Sequence, residues 1–402
     1  MTEPSPDPAP RASFAVLAPH FPPATAGGGP IRSLDALTAT CPAAIEVAVL
    51  TSDRDAGARE PLPVPSGRWT RHGTVPVLHA DTTSPLALAR AFRSLRRRRP
   101  THVYVNSVFN APLSLLPQLL GRLGSWHGAR VVVAPRGELG PWALRSKRDK
   151  KRVCLAAYRL LGLHRGVVWH AATEAEAADV RALWGDDAIV VVDRPMSPLP
   201  PRARREAPGP SPVVRAVSHG RLTRLKGLDL VLRGLAGLPA GTRLHLDVHG
   251  PAEEGSFVAE CHALAEALPA GVTVAFRGLL PHDDVQATLA RHDVALLGTH
   301  GESFGHALAE ALSVGCPVLV ADTTPWTPAV AGGAGLVVPE PTAPAWTATI
   351  ARFLSLADDE RLAMRRAAAA AFERSQAAGS PHLFEQVLAA EAAEAAEAAA
   401  GR

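Results

Sequence analysis

The apolar positions of this chain gather into short runs separated by longer amphipathic stretches. Residues 14–18, 47–50, 103–105 and 131–134 are nearly all apolar, bounded by polar or turn residues, and each is followed by a helix-length pattern. Such runs predict strands buried on both faces of a parallel sheet. The pattern stops between residues 193 and 212 (DRPMSPLPPRARREAPGPSP), a stretch rich in Pro and Arg with the composition of a linker. It resumes at 213–217, 244–248, 272–276, 294–297, 317–320 and 336–338, with helix-length segments such as 258–268 between them. Two open parallel α/β layers are therefore predicted, an N-terminal domain over 11–192 and a C-terminal domain over 213–387. The run 244–248 is anomalous, because His245 and Asp247 alternate with apolar residues, and it reads as an edge strand. Residues 388–402 form an Ala/Glu run that favours helix without a broad apolar face, predicting a solvated helical tail.

At 402 residues, 47% of them hydrophobic and 20% charged, the chain can bury a large core and exceeds the usual size of a single domain. No apolar run approaches the ~20 residues a membrane-spanning helix needs. Residues 1–10 read as a disordered leader without the basic start and apolar stretch of a secretory signal, and the expected location is cytoplasmic. Cys41, Cys154, Cys261 and Cys316 are widely spaced, which indicates neither a disulfide framework nor a zinc site. The formal charge of +4 is too mild to imply nucleic acid. Its distribution is uneven, with basic runs at 93–99 (RSLRRRR) and 145–152 (RSKRDKKR). These are either solvated helix faces or a patch that attracts phosphate or an anionic membrane surface.

Ligands of doubly wound sheets bind beyond the carboxyl ends of the strands, so the loops that follow the strands are where chemistry belongs. After 14–18, Gly27, Gly28 and Gly29 precede a helical pattern that opens at Pro30. Glycine admits a phosphate close to the backbone, and a helix start offers free N–H groups, although an ordinary turn would read the same way. After 213–217, Gly220, Arg221 and Lys226 lie in a loop ending at a helix start, where two cations can converge on one pyrophosphate. After 294–297 comes GESFGHALAEAL, with seven residues between Glu302 and Glu310. If most of that interval is helical, the two carboxylates stand about 12 Å apart along the axis. That is too far to share one glycosidic bond as the ~5 Å pair of a retaining hydrolase does.

The segments GRLTRLKG and GESFGHALAEALSVGCPVLVADTTPW closely resemble the retaining nucleotide-sugar glycosyltransferases of family 4, and residues 134–152 (APRGELGPWALRSKRDKKR) resemble the first domain of members that build bacterial polysaccharides. The resemblance spans nearly the whole chain outside leader and tail. It implies the GT-B fold, two Rossmann-like domains facing a central cleft, with the last helix returning to the N-terminal domain. It implies a retaining, metal-independent transfer of a sugar from a nucleoside-diphosphate sugar to a hydroxyl acceptor, with no cofactor. Arg221 and Lys226 would hold the pyrophosphate, and Glu302 the donor sugar, the three forming the catalytic set. Gly220, Gly250, Ser303, Phe304, Gly305 and His306 would line the donor, Glu310 would bind the ribose, and Gly28 and Gly29 the distal phosphate. Arg136 and Glu138 are acceptor-side candidates. One departure stands out, since many relatives have Pro-Asn-Gly where this chain reads Val-Val-Val-Asp-Arg-Pro before the linker.

Other readings are a GT-B nucleotide-sugar epimerase, a non-catalytic nucleotide-sugar-binding partner and a nucleic-acid binder. Asp53-Arg54-Asp55 is a D-x-D of the kind that holds Mg²⁺ against a diphosphate in single-domain transferases. None of the 16 histidines stands in a ligand pattern such as H-E-x-x-H, and no metal is expected.

Overall fold

The computed structural model describes residues 12–145, 147–194, 199, 211–377 and 379–400. The leader 1–10 and most of the expected linker lie outside the described residues. The described chain divides into two compact units, one up to residue 194 joined by everything from Ser380 on, the other from 199 to Gly379.

The first unit is built on an eight-stranded sheet of β1 (Ala12–Ala18), β2 (Ile45–Ser52), β3 (Trp69–His72), β4 (Val75–Ala80), β5 (His102–Asn106), β6 (Arg130–Ala134), β7 (Val167–Ala171) and β8 (Ile189–Val192), in the order β3-β4-β2-β1-β5-β6-β7-β8. All neighbours are parallel except β3 and β4, an antiparallel pair at the edge. β8 holds the Val190-Val191-Val192 run and pairs in parallel register with β7. Alternate residues of β1 face opposite sides, so Ala15 and Leu17 enter one apolar cluster and Phe14 and Val16 another.

The second cluster contains Leu383, Phe384 and Val387 from the last helix, Leu383–Ala400. Residues 388–400 of the expected tail continue this helix and are mostly exposed, with Leu388 and Ala390 partly buried against the cluster. Phe384 stacks on Phe14 with centroids 4.0 Å apart and meets Tyr104 edge-on at 5.9 Å. Farther along, Glu391 lies 3.1 Å from His102 Nε2, and Glu394 lies 2.6 Å from Arg130 Nη2. The Ala/Glu composition hides this anchoring because the buried residues precede the repeat. Phe384→Ala is expected to cost about 4 kcal/mol, because it empties a filled aromatic site, and a denaturant titration would read the loss.

The second unit carries a wholly parallel sheet of β9 (Val214–His219), β10 (Leu244–His249), β11 (Val272–Gly278), β12 (Val294–Leu297), β13 (Val318–Ala321) and β14 (Gly335–Val338) in the order β11-β10-β9-β12-β13-β14. β10 is therefore not the edge that its alternation suggested, since it lies between β9 and β11. Its polar residues are satisfied on one face of the sheet. Asp247 accepts from Arg277 Nε at 2.6 Å and lies 3.1 Å from His292 Nε2, while His245 Nδ1 meets Thr273 Oγ1 at 2.8 Å. Burial alone would raise the Asp247 carboxyl, but Arg277 and His292 hold it down to about 2.

Candidate functional site

In the second sheet the strand order reverses between β9 and β12, and a doubly wound sheet opens its ligand crevice at such a reversal. The loops after β9, β10 and β12 meet there through glycine backbone. Gly250, at φ +148°, packs so closely on the loop after β9 that a Cβ would stand 1.7 Å from the carbonyl oxygen of Gly220. Gly227 and Gly298 are each other's obstacle, because a Cβ on either would reach the other's carbonyl oxygen at 2.1 Å. Hydrogen bonds complete the seam. Gly220 N donates to His249 O, Leu222 N to Pro251 O, and His300 N to Leu225 O, each at 2.9 Å.

This seam brings Lys226 and Glu302 together across 76 residues, with Nζ 2.6 Å from Oε1. Both are largely but not fully covered, at 26% and 14% side-chain exposure, so the pair is reachable from solvent. Arg221 takes a different partner, Glu253 in the loop after β10, at 3.0 Å. The structure therefore shows two separate ion pairs in place of two cations already converged on one point.

Glu302 lies in a loop, not a helix. The helix His306–Ser313 begins four residues later, behind Gly305 at φ +84°, so the interval between the two glutamates is half loop and half helix, and the condition that most of it be helical is not met. A glycine in the left-handed region turns the chain sharply into the helix, leaving the first-turn N–H groups without intrahelical acceptors. Trp326 fixes this turn. Its Nε1 donates to Phe304 O at 2.7 Å, its ring meets Phe304 edge-on, and a Cβ on Gly305 would stand 3.3 Å from it. Ser303 is half-buried in the same turn, and His306 packs its ring 4.8 Å from Phe304.

Glu310, one turn into the helix, is 2% exposed, with Oε2 3.3 Å from His219 Nε2 at the end of β9. Reading the sequence missed His219, Gly227, Gly298 and the orienting role of Trp326. The first three stand at or just past strand ends or at a helix start, positions that draw notice only once the strand order is known.

In the first unit, Gly28 caps the helix Gly29–Ala39 at φ +68°, and a Cβ there would meet nothing within 4 Å, so the turn has an open side. Asp55 braces this loop by accepting from Thr25 N at 2.8 Å and Ala26 N at 3.1 Å, which draws its carboxyl below the usual range against the opposing effect of burial. Asp53 is held by Arg54 and Ser66. The two carboxylates of the D-x-D are thus each taken up by protein donors.

Arg136 and Glu138 also turn inward. Arg136, at φ +55°, donates to Asn106 Oδ1 at 2.7 Å and to the Tyr104 hydroxyl at 2.8 Å. Glu138 accepts from Val108 N, Phe109 N and Ser107 Oγ, and burial pushes its carboxyl up in spite of them. Both lash the loop after β6 to β5 and the loop beyond it.

Residues 203–371 match the family of glycosyl transferases, group 1. The match falls within the second unit. The chain is 33% identical over 151 residues to the D-inositol 3-phosphate glycosyltransferase of Corynebacterium urealyticum, covering 36% of this chain and 35% of that protein. The enzyme of the same name from Corynebacterium aurimucosum is 30% identical over 172 residues, covering 42% and 41%. The chain thus spans about a third to two fifths of the length of these relatives. Among solved structures it is similar to sucrose-phosphate synthase from Thermosynechococcus elongatus, with a TM-score of 0.69 at 17% identity over 94% of this chain and 100% of that one. It is also similar to the Anabaena protein HepE in complex with UDP-glucose, with a TM-score of 0.63 at 15% identity over 90% and 95%. These likenesses give the chain the GT-B fold, built of two parallel-sheet α/β units.

Proposed function

We propose that this chain moves a sugar from a nucleoside-diphosphate sugar to a hydroxyl of a glycan, lipid-linked or small-molecule acceptor, with retention at the anomeric carbon and without a metal. The observation that carries this reading is the Lys226–Glu302 pair, set at the reversal of the sheet beside the open start of the helix His306–Ser313. A diphosphate needs positive counter-charge, and a lysine, an arginine within the same loop and the backbone N–H groups of a helix start supply it without a metal ion. Glu302, still holding Lys226, presents its second oxygen to sugar hydroxyls. The bond from the anomeric carbon to the diphosphate breaks, the acceptor oxygen bonds to that carbon from the same face, and the acceptor proton passes to the departing phosphate oxygen. These donors act by stabilising charge as it develops on the leaving group.

Arg221, Gly220, Gly250, Ser303, Phe304, Gly305 and His306 belong to the proposed donor set, and Gly28 and Gly29 to backbone that a phosphate can approach. Glu310 is proposed for the ribose, which requires its buried carboxylate to be reached beside His219. Arg136 and Glu138 are proposed as shaping the acceptor side through the loop they hold. The similarity to HepE, solved with UDP-glucose, makes a uridine nucleotide the first donor to try.

The test is a thermal-shift series with UDP, GDP, ADP and dTDP, each with EDTA and with Mg²⁺, followed by product analysis. One nucleotide is expected to raise Tm equally in EDTA and Mg²⁺, by an amount equivalent to about 2.7 kcal/mol at a hundredfold excess over Kd. No shift with any nucleotide overturns the reading. A shift that requires Mg²⁺ overturns its metal-free part, and an isomerised sugar formed without acceptor makes the chain an epimerase.

A further inference from the structure

Asp53 and Asp55, the two acids of the D-x-D, follow β2 and border the loop after β1 that carries Gly27, Gly28 and Gly29. The two are not used alike. Asp53 is 3% exposed and stays within its own surroundings, taking Arg54 Nη1 at 2.9 Å and Ser66 Oγ at 2.8 Å. Asp55 is half-buried and reaches across to the other loop. Its Oδ2 accepts from Thr25 N at 2.8 Å, Thr25 Oγ1 at 3.3 Å and Ala26 N at 3.1 Å, and its Oδ1 accepts from Ala26 N at 3.1 Å and Ala56 N at 2.7 Å.

The residues it holds open a single turn. Gly28 N donates back to Thr25 O at 3.2 Å, so Asp55 grips the first two amides of a turn whose fourth residue is Gly28. Gly28 stands there at φ +68° and ψ −139°, a conformation open to glycine and strained for other residues. Further anchors come from the same side. The carbonyl oxygen of Arg54 lies 3.2 Å from His20 Nδ1, and Arg54 is itself fixed by Asp53 and by Asp81 at 2.6 Å. The His20 ring in turn flanks Gly27, where a Cβ would stand 3.4 Å from His20 Cδ2.

We infer that Asp55 is a positioning residue for the transfer, fixing the turn 25–28 so that the backbone at Gly28 and Gly29 is already set to receive the distal phosphate of the donor. This rests on the proposed donor reading, in which those glycines approach that phosphate. Asp55 acts through the backbone and touches no substrate atom. A run of three glycines has much conformational freedom to lose when a ligand orders it. A carboxylate that holds two consecutive amides removes part of that freedom beforehand, and pre-organisation of this kind raises affinity by lowering the cost of binding. The D-x-D then serves the diphosphate through loop geometry, with its carboxylates turned to protein amides, a guanidinium and a hydroxyl.

The test compares binding of UDP and UMP by the full chain, or of the diphosphate and monophosphate of whichever base the thermal-shift series identifies, and adds transfer kinetics. UMP has no distal phosphate, so a turn that serves that phosphate affects UDP alone. Asp55→Ala is expected to weaken UDP about tenfold while leaving UMP within about twofold of wild type. Its kcat/KM should fall on the order of a hundredfold, because a displaced turn misplaces the reacting diphosphate. Asp55→Asn keeps one oxygen for Thr25 N and Ala26 N and is expected to recover most of the loss. Asp53→Asn keeps an oxygen for Arg54 or Ser66 and is expected to leave the ratio of UDP to UMP affinity unchanged. Asp55→Ser, too short to reach Thr25, serves if Asp55→Ala does not fold. Wild-type UDP affinity in the alanine or serine variant, or an equal loss for UDP and UMP, overturns the inference and leaves the donor reading standing. UDP binding that requires Mg²⁺ and is lost alike in Asp53→Asn and Asp55→Asn also overturns it, since the motif is then a pair of metal ligands. Failure of the wild-type chain to bind any nucleoside diphosphate overturns the donor reading, and this inference with it.

Discussion

Lys226→Ala is expected to lower sugar transfer about a thousandfold while leaving Tm within a degree or two of wild type. The two halves of this expectation have different physical sources. The Lys226–Glu302 pair is partly exposed, and pairs of that kind contribute about 1 kcal/mol or less to stability. In the proposed transfer the same ammonium would face a diphosphate gaining charge, where a single donor is worth about 4 kcal/mol of barrier. Glu302→Ala should show a comparable loss through a different route, since it keeps the Lys226 ammonium but removes the carboxylate that holds it and that is proposed to bind the sugar. Steady-state kinetics with the nucleotide sugar identified by thermal shift would measure both. Near wild-type turnover in either variant would place the donor elsewhere.

Gly250→Ala is the substitution with the largest expected structural effect. A Cβ at 1.7 Å from the Gly220 carbonyl oxygen cannot be accommodated by a rotamer change, because the obstacle is backbone and φ is already +148°. The loops after β9 and β10 would have to separate, at a cost of about 3 kcal/mol, and nucleotide affinity should fall with them because the backbone of the site moves. Gly255→Ala is the matched control. It stands five residues on, at the start of the helix Gly255–Glu266, with nothing within 4 Å of its added methyl, and should be near neutral. Denaturant unfolding and nucleotide titration of the two variants together separate a specific close approach from a general dislike of alanine. Equal behaviour of the two would refute the glycine seam.

The strands around the proposed donor site were legible because a doubly buried parallel strand must be apolar along its whole length, as 294–297 is. β3 and β4 were not, because Trp69–His72 is polar and half exposed at a sheet edge and resembles a loop in composition. β10 misled for a related reason. Its polar residues look like solvent contacts until Arg277 from β11 and His292 from before β12 are seen to satisfy them. Within the site, residue types announced charge and flexibility but not pairing. Nothing in the sequence sets Lys226 on Glu302 and Arg221 on Glu253, because those choices depend on which loops the glycine contacts bring together. The inward turn of Arg136 and Glu138 was equally hidden, since a hydrogen bond donated to Glu138 by the backbone amides of Val108 and Phe109 leaves no trace in the residue types that donate it.

The return of residues 380–400 to the first unit has a consequence for synthesis. The second unit is continuous in the chain and complete by Gly379, so everything it needs leaves the ribosome before Phe384 does. The first unit, although translated first, waits with Phe14 and Tyr104 uncovered on one face of its sheet until the final helix arrives. The usual order, in which the N-terminal domain finishes first, is therefore inverted at this one surface. A nascent chain stalled before residue 383 should hold a finished second unit beside an N-terminal sheet that chaperones still recognise.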